Sequence, residues 1–309
     1  MRVTQDGGKT WAGIPAPAAQ VAFYPNHFPW HASDPAGVSN IRFASAHDGW
    51  AFGPDLYTTH DGGQTWLKEN RLVSDVAVTN GAIWAVEQQG DAAVVERSTE
   101  AGKAWTPAKM QPLLVGWPTI TSVDKETAWL FTQDSVLNPQ LIVTNDGGNS
   151  WAELQMPERP CPTAFVKAVT ALVLWYICGG VGATAMQDKQ VYTSADGGIA
   201  WTMQADSHAQ NLANGGITNQ GHIVSARDFA ALSANVAFMA LNRDTLIMSG
   251  DGGRHWTDAI PYQRANGGGD PAMGPVEFAN AHDGWLAAGP NRLFRTTDGG
   301  HTWSDSTVP

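Results

Sequence analysis

The stretch Thr59-His60-Asp61-Gly62-Gly63-Gln64-Thr65-Trp66 returns almost letter for letter as Thr296-Thr297-Asp298-Gly299-Gly300-His301-Thr302-Trp303. The same phrase starts at Thr4, Thr144, Ser194 and Ser249, with Asp6, Asp146, Asp196 and Asp251 as its acid. A decayed copy runs Ser98-Thr99-Glu100-Ala101-Gly102-Lys103-Ala104-Trp105. The acidic position therefore falls at 6, 61, 100, 146, 196, 251 and 298, at intervals of 39 to 55 residues. Periods of that length mark solenoids, propellers or arrays.

The phrase has a mechanical meaning. Asp followed by Gly-Gly predicts a hairpin turn, because the turn needs positive φ and the carboxylate can accept backbone N–H groups across it. Strand-forming runs precede the copies, as in Leu56-Tyr57-Thr58, Leu141-Ile142-Val143 and Val191-Tyr192-Thr193. The closing Trp then has a fixed place to pack. A second phrase precedes six of the seven copies. Its clearest forms are Asn40-Ile41-Arg42-Phe43-Ala44-Ser45-Ala46-His47-Asp48-Gly49-Trp50-Ala51-Phe52-Gly53 and Val276-Glu277-Phe278-Ala279-Asn280-Ala281-His282-Asp283-Gly284-Trp285-Leu286-Ala287-Ala288-Gly289, with weaker copies centred on Trp84, Trp129, Trp175 and Phe238. Each reads as strand, turn, strand. Added to the hairpin, that makes four antiparallel strands per repeat, which is one propeller blade.

The first phrase is similar to the Asp-box, or BNR, repeat, and the two together resemble the photosystem II stability/assembly factor family and its non-photosynthetic bacterial relatives. The resemblance covers nearly the whole chain. It implies an all-β propeller and a chaperone-like assembly role. Sialidases, sortilin-type receptors and xyloglucanases carry the same boxes, so function has to be argued from a site.

Composition bounds the rest. Charged residues make up 15%, while Gly and Trp number 33 and 14, which suits short strands, many turns and aromatic packing between blades. A formal charge of −11 disfavours nucleic acid, which rewards a basic face, and an anionic membrane surface. No apolar run is long enough to span a bilayer and no signal sequence is present in this chain. The two cysteines, Cys161 and Cys178, flank a strand-turn-strand segment, so a disulfide and a pair of buried thiols both remain open. A bridge would imply an oxidising compartment.

In order, the expected organisation is a single propeller over 1–309, seven-bladed with an incomplete first blade. A half-blade spans 1–20 and a long connection follows to 38. Blades two to seven occupy about 39–70, 71–110, 111–158, 159–206, 207–262 and 263–309. In a four-stranded meander the second-to-third-strand loops and the blade connections emerge on one face, here called upper. The first-to-second turns and the boxes emerge on the other. Long loops on a rigid scaffold are where binding residues concentrate.

The box acids Asp6, Asp61, Glu100, Asp146, Asp196, Asp251 and Asp298 lie one per blade, so they read as structural. Twelve tryptophans are absorbed by blade packing. Trp30 and Trp117 fall in upper-face connections and are candidates for stacking on a sugar or anchoring a partner. His27 and His31 accompany Trp30, but Pro29 between them opposes the helix that metal spacing needs, so no metal and no cofactor is expected. Arg42, Asp75, Arg227, Asp228 and Glu277 are expected near the upper ends of innermost strands, lining the channel.

Two readings follow. The first is a non-catalytic, monomeric, extracytoplasmic protein (secreted, periplasmic or cell-surface) that docks a protein partner on the upper face. The alternative is a carbohydrate-binding protein or glycoside hydrolase using that face, with Trp30, Trp117 and a channel carboxylate. The chain lacks the Arg-Ile-Pro phrase that opens the sialidase pattern, and a glycosidase needs two convergent carboxylates.

Overall fold

The structure, a computed structural model, describes residues 1–4, 6, 9–18, 37–79, 81–89, 92–109, 118–133, 137–157, 160–182, 186–207, 216–218, 220–223, 226–242, 245–260, 273–288 and 292–306. Among the described residues it is all-β apart from the 3₁₀ turn Ala226–Asp228. A two-stranded ribbon joins β1 (Arg2–Val3) to β2 (Ala12–Gly13), and the remaining strands form antiparallel meanders. By contacts the chain divides into two compact units, one holding Met1 and Gly13–Pro160, the other Arg2–Ala12 and Cys161–Pro309.

In the first unit, blade two comprises β3 (Asn40–Phe43), β4 (Gly49–Phe52), β5 (Asp55–Thr59) and the start of β6 (Leu67–Thr79). Blade three takes the rest of β6 with β7 (Ala82–Gln89), β8 (Ala92–Ser98) and β9 (Thr106–Pro107). The boundary expected between residues 70 and 71 thus falls inside one 13-residue strand, whose Leu72 is opposite both Asp55 of β5 and Gln88 of β7. Blade four is β10 (Thr119–Ser122), β11 (Ala128–Gln133), β12 (Pro139–Thr144) and β13 (Ala152–Leu154).

The second unit repeats the pattern. Blade five is β14 (Thr163–Ala168), β15 (Leu174–Gly179), β16 (Lys189–Ser194) and β17 (Thr202–Asp206). Blade six is β18 (Phe229–Ala231), β19 (Ala237–Leu241), β20 (Thr245–Ser249) and β21 (Thr257–Ile260). Blade seven is β22 (Met273–Phe278), β23 (Gly284–Ala288), β24 (Arg292–Thr296) and β25 (Ser304–Asp305). Each blade is hydrogen-bonded in strict chain order.

The second strand of each blade is the most buried, and its central aromatic anchors the core. Trp50, Trp84, Trp129, Trp175 and Phe238 are essentially inaccessible. Removing a large aromatic from water contributes on the order of 3 kcal/mol, so these five are the main packing anchors. Within a unit the aromatic is received by the second glycine of the next blade's turn. A Cβ on Gly102 would stand 2.8 Å from Trp50, and one on Gly253 would stand 2.8 Å from Trp175. Gly63, whose preceding blade is the ribbon, meets Ile14 instead, at 3.0 Å.

Cys161 and Cys178 are bridged, with Cα atoms 5.3 Å apart. The bridge fastens the segment leading into β14 to the middle of its own blade, and the Tyr176 hydroxyl donates to Cys161 Sγ at 3.0 Å.

Candidate functional site

The recurring turn is a closed polar network. In blade two the Thr59 hydroxyl donates to Asp61 Oδ1 at 2.9 Å, Thr65 N–H donates to the same oxygen at 2.9 Å, and the Thr65 hydroxyl donates to Oδ2 at 2.6 Å. Gly63 N–H closes the circuit on Thr59 Oγ1 at 2.9 Å. The three bonds to the carboxylate recur at Asp6, Asp146 and Asp298, and the glycine bond recurs at Thr144 and Thr296. Hydroxyl and backbone donors hold the carboxyls of Asp6, Asp61 and Asp146 down at about 2. At Asp196 the backbone of Ala200 and then the Ser194 hydroxyl hold the carboxyl down, and the second hydroxyl is missing because residue 200 is alanine. In the decayed copy Ser98 still accepts from Gly102 N–H at 3.0 Å, while Ala101 takes the left-handed φ of 53° that glycine occupies elsewhere.

These turns sit at one end of each blade. The first glycine donates to the blade's own first-to-second turn: Gly62 to His47 O, Gly147 to Glu126 O, Gly197 to Leu172 O, Gly252 to Asn235 O and Gly299 to His282 O, at 2.8 to 3.0 Å. The opposite end of each blade carries the second-to-third loop and the connections.

That opposite end is built from charged groups turned inward. In blade two, Asp55 Oδ2 accepts Gly37 N–H at 2.9 Å and Lys68 Nζ at 3.1 Å, pinning the end of the long connection to the blade. In β6, Asp75 accepts from Val76 N–H and from Ile120 N–H of blade four, both at 2.9 Å. Arg71 ties Glu87 to Glu96, its Nε 2.6 Å from Glu87 Oε2, and lies 4.7 Å over the Trp105 ring. Burial holds Glu96 above the ordinary Glu range, Arg71 opposes that, and the neighbouring Glu87 reinforces it.

Blade five has the densest arrangement. Lys189, the first residue of β16, is completely buried. Its ammonium donates to four backbone carbonyls: Gly221 at 2.7 Å, Gln187 at 2.9 Å, Gln220 at 3.2 Å and Thr218 at 3.3 Å. Gln187 Oε1 accepts Ile223 N–H at 2.8 Å. The segment entering blade six is thereby stitched to the second-to-third loop of blade five. Burial draws the Lys189 ammonium down to about 8, against a smaller opposing pull from Asp188. A charge buried this deeply persists only where its protons are satisfied.

The expected site residues fall into three groups. Trp30, Trp117, His27 and His31 lie outside the described residues. Arg227 and Asp228 occupy the 3₁₀ turn that enters β18, at the connection end of blade six, with Asp228 buried. Arg42 and Glu277 need correcting. They are on innermost strands, but each is the penultimate residue, opposite Trp50 and Trp285, one step from the lower turn. An innermost strand runs downward from its connection, so its last residues are at the turn end. Lys189 and the Arg71 cluster were missed, since a lone Lys opening a strand carries no pattern. Among the described residues no three His, Cys, Asp or Glu gather as metal ligands.

Four-stranded meanders, repeating turns and second-strand aromatics define a β-propeller. Among solved structures with this fold, YCF48 bound to D1 peptide is 19% identical, with a TM-score of 0.59 over 96% of this chain and 89% of that one. YCF48 from Cyanidioschyzon merolae is 18% identical, TM-score 0.56, over 87% and 84%. An ancestral GH74 enzyme is 13% identical, TM-score 0.56, over 87% of this chain but 40% of its own. No protein family and no curated protein matches the sequence.

Proposed function

We propose that this chain is a non-catalytic, Asp-box propeller of the assembly-factor type, which docks a protein partner on the face opposite the recurring turns. The observation that carries the reading is the use of charge at that end. Asp55 and Lys189 are spent holding connections to the scaffold, and the carboxylate pair Glu87 and Glu96 is buried and tied by Arg71, which supports a rigid frame presenting loops. The likeness to YCF48, one structure of which holds a D1 peptide, supports a protein segment as the kind of partner. The Cys161–Cys178 bridge supports an oxidising, extracytoplasmic setting, and the chain is proposed to act there as a monomer.

The test is a side-by-side screen of the wild type and a Trp30→Ala/Trp117→Ala double variant on a glycan array and on immobilised peptides. Peptide binding weakened in the double variant is the expected result. Specific glycan binding lost in that variant overturns the reading in favour of carbohydrate recognition and calls for a hydrolase assay.

A further inference from the structure

The blades are near-copies, so each position has internal controls. At the carbonyl that receives the first turn glycine stand His47, Glu126, Asn235 and His282, but Leu172 in blade five. At the residue after the second turn glycine stand Gln64, Asn149, Arg254 and His301, but Ile199 in blade five. On the outer strand, Lys68, Glu153, Asp258 and Asp305 face Tyr57, Ile142, Ile247 and Phe294, while Met203 faces Tyr192. Among blades two, four, five, six and seven, whose Asp-Gly-Gly turns are intact, three polar positions have become apolar in blade five alone.

All three side chains are open to solvent: Ile199 is 69% exposed, Leu172 60% and Met203 50%. Leu172 and Ile199 belong to two turns joined by the 2.8 Å bond from Gly197 N–H to Leu172 O. Ala171 and Ala200 complete the surface, where the other intact Asp-Gly-Gly turns carry a hydroxyl or His at the Ala200 position. From Val169 to Val173 and from Ala195 to Met203 the only formal charge is Asp196, whose Oδ1 is occupied by Ala200 N–H and the Ser194 hydroxyl. A chain of net charge −11 thus leaves one blade tip nearly uncharged. Nothing in blade five's own fold requires this, because the polar versions build the same turn in its siblings.

We infer that the lower tip of blade five is a second docking surface, and that its occupant is a short, uncharged apolar segment of another protein. Area selects the occupant. Three partly exposed side chains offer on the order of 300 Å², the size of a functional patch on a monomer. A pairing of two copies of this chain would need roughly 800 Å² from each. Charge selects its chemistry, since Asp196 is the single charged group in these two stretches and its Oδ1 is already engaged. The surface lies at the opposite end of the blade from the face proposed above and does not depend on that reading.

The fold-safe variant borrows sibling residues: Leu172→Asn, Ile199→Gln and Met203→Glu together. The probe is an array of ten-residue peptides graded in apolar content and charge, followed by anisotropy titration with the strongest uncharged one. The expected result is preference for uncharged apolar peptides, weakened about tenfold or more in the triple variant, with an unchanged melting temperature and unchanged binding in Trp30→Ala/Trp117→Ala. Equal binding by the triple variant, preference for charged peptides, or no apolar binding at all overturns the inference. So does a wild-type dimer in sedimentation that the triple variant dissolves, or loss of the binding in the double-Trp variant.

Discussion

The ring of Phe238 in blade six occupies the place where a side chain on Gly300 of blade seven would begin: a Cβ there would collide with its Cζ. Gly300 also has a φ of 87°, which L residues rarely adopt. Gly300→Ala is therefore expected to destabilise by about 1–3 kcal/mol through overpacking alone, measured by urea denaturation. Gly250→Ala, in open space in the preceding turn, is the control and is expected to change little.

Arg71 sits between two buried carboxylates, and removing it strands both. Arg71→Ala should cost about 3–5 kcal/mol. Adding Glu87→Gln and Glu96→Gln should return a large part of that, because the stranded charges are then gone. A denaturation series that shows the triple variant as unstable as the single would refute the charge argument.

The turn carboxylates tie stability to acid. Asp6, Asp61 and Asp146 titrate at about 2, mainly through the hydroxyl and N–H of Thr10, Thr65 and Ser150, against an ordinary 3.8. Asp251 also reaches about 2, burial pushing it up while the His255 and Ser249 bonds outweigh that. Folded values below unfolded ones mean stabilisation that is complete above about pH 4 and lost as pH falls towards 2. Denaturation midpoints measured from pH 5 to 2 should fall steeply, and Asp61→Asn should lower the proton uptake on unfolding by about one.

Lys189 has the opposite dependence. Its folded value of about 8 lies below the ordinary 10.5, so between those values the unfolded chain binds more protons and stability rises with pH. Lys189→Met should abolish that rise. It should also leave the carbonyls of Thr218, Gln220 and Gly221 without their donor, speeding amide exchange across residues 216–223.

Cys161→Ser removes a closed loop across blade five and should cost about 2–5 kcal/mol, with a similar loss for the wild type in reductant. A variant melting with the oxidised wild type would show that the blade does not rely on the bridge.

The architecture was legible because its signals are local and repeated. Asp-Gly-Gly dictates its turn wherever it occurs, and Trp50 or Trp175 announces the buried second strand. The bridge stayed open, since two cysteines allow either state. Arg42 and Glu277 were put at the wrong end because composition shows that a strand holds a charge, not which way the strand points. Lys189 was invisible for a different reason. Three of its four partners are backbone carbonyls 29 to 32 residues away, and any sequence supplies carbonyls.

The unbroken run of β6 through two blades has a consequence for how this chain can be cut and rejoined. Between Glu69 and Val73 there is no loop to open, and Leu72 is paired on both sides. A linker, tag or new terminus placed there would have to tear one ladder to enter. Blades two and three therefore form a single graftable block, to be moved or exchanged together.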